Sequence, residues 1–366
     1  MKLPCLDIII PHYNEKPEMI RHLLDSIEMQ AGINLAKAIR VTIVNDHNPD
    51  ACAVLRDYLI KANYTFPIEV LQTPINAGAG RARQYGIDHT ELPYIMFCDA
   101  DDCLYTCTSL LSLLNCVRLV EVKQQPWNYI WGNFYEEKIT GEKGFDLITH
   151  DKPSMIWLHG KLWKREFLEK YNIHFHPTLR TFEDTYFGKI VSLSVPKTWN
   201  YHCEDIVYLW KRNPNSVTSG WNHDKHTYLY WRNEDYVTCT YSVLETLYPR
   251  YKEIQRWQEL FFVSVMFTYF ILQMGEFSTD EPKTAEVRLA LEDLFARMIK
   301  EFGNTVKNTP NINRVKWYCL VREEIVNQFS FNIEQVHWND FLKYIDKKYN
   351  IESYDLLRID NPTYDK

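Results

Sequence analysis

Apolar and polar positions alternate along the first hundred residues in two periods, and each switch of period marks out an element. Asp7 to Ile10 is a β-rich run that ends at Pro11, which cannot continue a central strand. Pro17 to Gln30 changes to helical spacing, with Ile20, Leu23, Leu24 and Ile27 on one face. A second apolar run, Ile39 to Val44, stops at Asn45-Asp46, and residues 50–62 read as a helix. Ile68 to Leu71 is a third strand, Gly78 to Ile87 a helix entered through a glycine-rich turn, and Tyr94 to Cys98 a fourth strand.

Strands and helices in this alternation predict an α/β fold with a mostly parallel sheet covered on both faces. Such sheets bind ligands beyond the carboxyl ends of their strands. The polar residues fall there four times: Tyr13 and Asn14, then Asp46, then Asn76, then Asp99 and Asp101. They describe one cleft.

Beyond Asp102 the pattern loosens. Thr106 to Val122 reads as a helix, Asn128 to Phe134 as a strand, and Trp157 to Tyr171 as an amphipathic stretch. Phe182 to Val191 reads as a helix and Ile206 to Trp210 as a last strand before the polar loop 211–220. From about His223 long helical patterns take over, at Tyr251 to Met274, Glu281 to Phe302 and Ile333 to Lys347. The boundary therefore falls near residue 222, giving an N-terminal domain over 1–222 and a helical region over 223–366.

Composition narrows the class. The chain has 366 residues, 46% hydrophobic and 24% charged, which is ample for a globular core. A net charge of -7 disfavours a general phosphate-gripping surface for nucleic acid. The 9 cysteines form no CxxC pair, and free thiols in a reducing, cytoplasmic setting are expected. Leu6 to Ile10 is too short and too acidic for a secretory h-region, and Leu260 to Leu272 is too short to span a bilayer. Peripheral attachment at a membrane surface stays open, as does homo-oligomerisation.

The chemistry concentrates at the fourth strand end, where Asp99, Asp101 and Asp102 lie within four positions. Three acids there repel one another unless a cation intervenes, and a divalent ion that takes hard oxygen ligands is the natural candidate. Carboxylates also cap turns, which is the plain alternative.

With these positions laid out, residues 5–220 resemble a family 2 glycosyltransferase of the GT-A fold. The motifs come in the family's order: Ile10-Pro11-His12-Tyr13-Asn14, Val44-Asn45-Asp46, Asn76 through Arg83, Asp99-Ala100-Asp101, His159-Gly160-Lys161-Leu162, and Glu183-Asp184. The resemblance implies an inverting, metal-dependent enzyme that moves a sugar from a UDP-sugar to an acceptor hydroxyl. Pro11, Tyr13, Asn14, Asn76 and Gly78 would then line the donor. Asp46 would accept from the uracil N3–H, and Arg83 would lie along the base. Asp101 would hold Mn²⁺ or Mg²⁺, with Asp99 on the ribose or a metal-bound water, Ala100 between them and Asp102 as a turn residue. Asp184 matches the catalytic base, Glu183 its acidic neighbour. Lys211 stands where many members carry arginine, followed by Arg212, so either would meet the diphosphate, with Ser216 adding a hydroxyl.

The acceptor expected for such an enzyme is a surface glycan, polysaccharide or lipid-linked glycan. A hydroxylated base of phage DNA is the alternative acceptor, and the acidic net charge weighs against it. A nucleotidyltransferase would place a basic glycine-rich loop after the first strand, where this chain has Pro11-His12-Tyr13-Asn14. A non-catalytic sugar-nucleotide or glycan-binding module would not need both Asp101 and Asp184. The motifs leave 223–366 without a family signature, and acceptor selection, oligomerisation or attachment are the roles expected of it.

Overall fold

The computed structural model describes residues 6–140, 144–213, 225–254, 256–274, 282–307 and 337–358. The chain divides into two compact units, Met1–Asn222 and His223–Lys366.

In the first unit, β1 (Leu6–His12), β2 (Ile39–Asn45), β3 (Ile68–Gln72) and β4 (Tyr94–Phe97) run parallel in the order β3-β2-β1-β4. The helices between them are α1 (Pro17–Glu28), α2 (Leu35–Ala38), α3 (Pro49–Ala62) and α4 (Ala79–Asp88). β1 is buried along nearly its whole length, as a central strand covered on both faces must be. Its one acid, Asp7, is fully buried and compensated by Arg40 at 2.9 Å, Arg165 at 3.2 Å and the Leu92 N–H at 2.9 Å. α1 buries the expected stripe of Ile20, Leu23, Leu24 and Ile27, each worth about 1.5–3 kcal/mol of transfer free energy. α3 opens on Pro49, with the Asn48 side chain accepting from the Ala51 N–H, and closes at Asn63 in the left-handed region.

The second half of the sheet is mixed. β5 (Cys103–Leu104) is followed by α5 (Ser109–Val122), β6 (Tyr129–Thr140), β7 (Gly144–His150), β8 (Lys161–Lys164), α6 (Arg165–Lys170), α7 (Glu183–Leu193) and β9 (Asn200–Trp210). β8 pairs antiparallel with both β4 and β6, and β9 pairs parallel with β6 and antiparallel with β5. The carboxyl end of β4, the start of β8 and the end of β9 thereby meet at one place in the sheet.

Some expectations change here. The stretch from Trp157 to Tyr171 is not one amphipathic element: Gly160 at φ +63° breaks it, and a buried strand precedes a short helix. β5 and β7 escape the period reading, one being two residues long and the other an exposed arm paired only with β6. β9 begins six residues earlier than Ile206 because a bulge at Gly132 and Asn133 lets it follow β6.

The second unit is helical. It holds α8 (Lys225–Leu247), α9 (Trp257–Met274), α10 (Pro282–Val306), and two further helices, Trp338–Tyr349 and Ser353–Leu357. Trp257, Phe261, Phe262, Phe295 and Trp338 are buried in it. The segment Thr279-Asp280-Glu281 and the start of the Ile333 to Lys347 pattern lie outside the described residues. Among the described residues, no helix is long and apolar enough to cross a membrane.

Candidate active site

The carboxyl ends of β1, β2 and β4 carry the polar residues that the sequence pattern singles out. Pro11 is half-buried at the end of β1, while Tyr13 and Asn14 are exposed just beyond it. The Tyr13 N–H donates to Glu15 Oε2 at 2.7 Å. Asp46, 4% exposed, has its carboxylate turned inward. It accepts from the Gly78 N–H at 2.7 Å, from the Ala77 N–H at 3.0 Å and from the Thr73 hydroxyl at 3.2 Å. The Asn76 amide donates to the Asp46 carbonyl at 3.3 Å. Asp46 therefore holds the turn that enters α4, a turn that needs φ +90° at Gly78.

One turn into α4, Arg83 is buried rather than laid along an open surface. Its guanidinium spans two elements, donating to Asp99 Oδ1 at 2.5 Å and to Glu183 Oε1 at 3.0 Å. The close approach depends on Gly80, where a Cβ would lie 2.8 Å from the Glu183 side chain. Burial works against the charge on Arg83, and Asp99 and then Glu183 outweigh it, so its pKa is raised.

After β4 the three acids part ways. Asp99 is held well below the usual carboxylate range: burial opposes ionisation, but Arg83 and His159 outweigh it. Asp101 Oδ2 accepts from the Asn213 amide at 2.8 Å, and burial and then Asp99 push its carboxyl up. Asp102, 1% exposed, accepts from the Tyr208 hydroxyl at 2.8 Å and from the Lys211 N–H at 2.8 Å. Burial, Asp99 and Asp101 together push it well above its ordinary value. The Tyr208 hydroxyl also accepts from the Asp99 N–H at 3.0 Å, tying β9 to the acidic turn. Ala100 is buried between these residues.

His159, nearly buried at the turn into β8, points Nε2 at Asp99 Oδ2 (3.5 Å) and Asp102 Oδ2 (3.9 Å). Asp99, Asp102 and His159 each offer a ligand atom within 4.8 Å of the others. That set overlaps the sequence pair of Asp99 and Asp101 at Asp99. The clustered charge fits a divalent cation: Asp99, Asp101, Asp102, Glu183 and Asp184 face Arg83 and Lys161, and four of these five acids have raised pKa values.

Glu183 and Asp184 open α7 immediately after Phe182, which sits at φ +61°, a costly conformation for an aromatic residue. Burial and then Asp184 raise Glu183 to about 7, against the pull of Arg83. Burial raises Asp184 as well, opposed by Arg83; its Oδ1 accepts from the Thr185 N–H at 2.6 Å. A carboxylate in this state can take a proton near neutral pH.

Lys211 and Arg212 line a cavity of about 40 Å³ beside Asp101, together with Glu136, Glu137 and Asn213. Both main-chain N–H groups are taken, by Asp102 and by Glu137 Oε2 at 3.1 Å. Ser216 lies outside the described residues. His202 is not in the cluster: its ring stacks on Trp131 at 3.8 Å and bonds Asn133 at 2.8 Å. Sequence reading assigned Asp102 to the turn and gave Tyr208, Lys161 and Trp157 no part. Only the sheet order β4-β8-β6-β9 brings Tyr208 and Lys161 to the acids, and no spacing along the chain shows that order.

Comparison with known proteins agrees with this geometry. Residues 7–170 match the model described as "Glycosyl transferase family 2". An uncharacterized glycosyltransferase EpsJ of Bacillus subtilis is 26% identical over 235 residues, 59% of this chain and 63% of that one. The teichoic acid poly(glycerol phosphate) polymerase of Staphylococcus epidermidis is 36% identical over 112 residues, 30% of this chain and 15% of that one. The chain thus spans less than two thirds of the length of the curated relatives it matches. Residues 1–349 of S. aureus TarS, crystallised with UDP-GlcNAc, share the fold with a TM-score of 0.58 at 14% identity. That match covers 89% of this chain and 93% of the other. The N-terminal unit is a family 2 glycosyltransferase domain of the GT-A fold.

Proposed function

We propose, starting from a family 2 glycosyltransferase domain, that this protein is an inverting, divalent-metal-dependent transferase. It moves a sugar from a UDP-sugar to a hydroxyl of a surface glycan or polysaccharide. The observation that carries the proposal is the partly buried row of acids from Asp99 to Asp184, bridged by the buried Arg83. The names of the relatives, a teichoic acid polymerase and a TarS fragment bound to UDP-GlcNAc, favour this donor and acceptor class.

The donor would lie over the ends of β1, β2 and β4, with Tyr13, Asn14 and Asn76 exposed toward it. Asp46 keeps the turn at Gly78 in shape and stands where the resemblance puts the uracil acceptor. Mn²⁺ or Mg²⁺ would be held by Asp99, with Asp101 as the second ligand that the resemblance implies and Asp102 and His159 as the side chains that converge on Asp99 within 4.8 Å. Such an ion offsets the charge that develops on the departing diphosphate. Lys211 and Arg212 beside Asp101 add positive charge on the same side.

Inversion is a single in-line displacement, so a base must stand on the face opposite the diphosphate. Asp184 takes that part. Burial raises its pKa above the usual carboxylate value, which makes it a stronger base than a free aspartate, and its bond from Thr185 fixes one carboxylate oxygen. Glu183, held by Arg83, keeps the first turn of α7 against α4.

The test is release of UDP from a panel of nucleotide sugars with Mn²⁺ and an acceptor extract. Asp184→Asn should slow turnover about a thousandfold while UDP still binds. Absence of binding to every UDP-sugar overturns the donor assignment. Unchanged turnover in Asp184→Asn overturns the base.

A further inference from the structure

We propose that residues 154–157 form the acceptor-side wall of the cleft, where Trp157 and Ile156 receive the apolar face of a pyranose ring. The inference rests on the transferase reading above and assigns it an acceptor subsite. Its starting point is Lys161, a lysine buried to 3% exposure. Its ammonium donates at 2.5 Å to two main-chain carbonyls, Ser154 and Trp157. A charged donor on two carbonyls is a strong strap, and few exposed loops carry one.

The same four residues are fixed from two further sides. The Ser154 hydroxyl oxygen accepts from the Ile156 N–H at 3.0 Å and the Trp157 N–H at 3.3 Å. The Met155 carbonyl rests on Gly188 of α7, so closely that a Cβ there would lie 2.2 Å from it. Gly188 is four residues after Asp184, hence one turn along the same helix face. The loop is therefore pinned beside the candidate base.

What it presents is apolar. Ile156 is 45% exposed although its backbone is held, and Trp157 is half-buried. The Trp157 ring makes edge contacts to Phe134 at 5.6 Å and His150 at 4.5 Å, and lies 6.4 Å from Trp210. Trp210 in turn is 5.0 Å from His159, which faces the acids. A row of rings running to His159 and the acids Asp99 and Asp102, on a loop pinned to the helix of Asp184, suits a ligand with one apolar face and a rim of hydroxyls. A pyranose has both.

Saturation-transfer NMR with methyl β-D-glucopyranoside and methyl N-acetyl-β-D-glucosaminide, in UDP and Mn²⁺, tests the subsite. The wild type should transfer to the ring protons of at least one pyranoside. Trp157→Ala should weaken the signal about fivefold, the worth of one aromatic contact, and Trp157→Phe should restore most of it. Lys161→Met should lose it with Trp157 still present. A wild type that binds UDP calorimetrically but transfers to neither sugar overturns the proposal, as does full signal in Trp157→Ala or Lys161→Met. A wild type that binds no UDP overturns the transferase reading and this one with it.

Discussion

At the end of β2, Asp46 has its carboxylate answered by two main-chain N–H groups and a hydroxyl, whereas at the end of β4 three acids share too few positive partners. The carboxyl end of β2 thus satisfies its polar residues internally, although Arg40 Nη2 and Thr42 Oγ1 earlier in that strand lack partners among the described residues. His12 and Asn45 bond each other there at 3.0 Å, and the Asp46 N–H reaches the His12 carbonyl at 2.7 Å. The seam with the mixed half does the opposite. It buries Asp101 and Asp102 with raised pKa values and leaves His159 Nδ1 without a partner among the described residues. A satisfied polar network is a scaffold; an under-compensated one marks where a ligand or ion completes the charge.

The sharpest way to break this contrast is to remove Arg83, which belongs to the parallel half by sequence and to the seam by contact. Arg83→Met leaves Glu183 without its cation and Asp99 with His159 alone. Losing one partner of a buried ion pair costs about 3 kcal/mol or more. Urea unfolding should therefore show a clear drop in midpoint, and saturating Mn²⁺ should recover part of it. A midpoint within error of the wild type would mean that the seam does not depend on this bridge.

A smaller effect separates the two acids that follow Asp99. Asp101→Asn and Asp102→Asn both remove a charge, but their partners differ. Asp101 meets the Asn213 amide, while Asp102 sits in the set with Asp99 and His159 and braces Tyr208 and Lys211. If the ion rests on Asp99 and Asp101, Asp101→Asn should raise the Mn²⁺ concentration needed for half-maximal UDP release by about tenfold or more, at the strength of a single ligand or its close neighbour. Asp102→Asn should then change stability more than metal demand. The reverse order of effects would move the ion to Asp102 and His159.

The same contrast explains what the chain order made readable. The β–α alternation to Phe97 and the four strand-end clusters follow from local periodicity, because each parallel strand carries its own signal. The roles of the clusters were only partly visible. Arg83 looks like a surface helix residue until Gly80 and Glu183 show why it is buried. Asp102 looks like a turn acid until β9 brings Tyr208 to it. β8 is four residues long and its neighbours are thirty to seventy positions away, so its pairing leaves no periodic trace. Met155 and Gly188 join the loop at 154–157 to α7 through such a long-range contact, whereas the bonds from Lys161 to the loop are local.

The smallest expected effect concerns Glu183, where burial leaves a trace in the pH dependence of stability. Its carboxyl is raised from 4.5 to about 7 in the folded chain. Between those values the native state holds a proton that the unfolded chain has released. Stability therefore falls as pH rises through that window, and the contribution is fully present below about 4.5. Glu183→Gln carries no proton there, so its own curve lacks this slope. The difference in melting temperature, wild type minus Glu183→Gln, should shrink steadily from pH 5 to pH 8 in EDTA. The more distant acids titrate alike in both proteins, so the subtraction reports Glu183 together with its coupling to Asp184. A difference that stays flat, or grows with pH, would show that the Arg83 bridge holds Glu183 ionised throughout, and would make that acid part of the satisfied scaffold rather than of the seam.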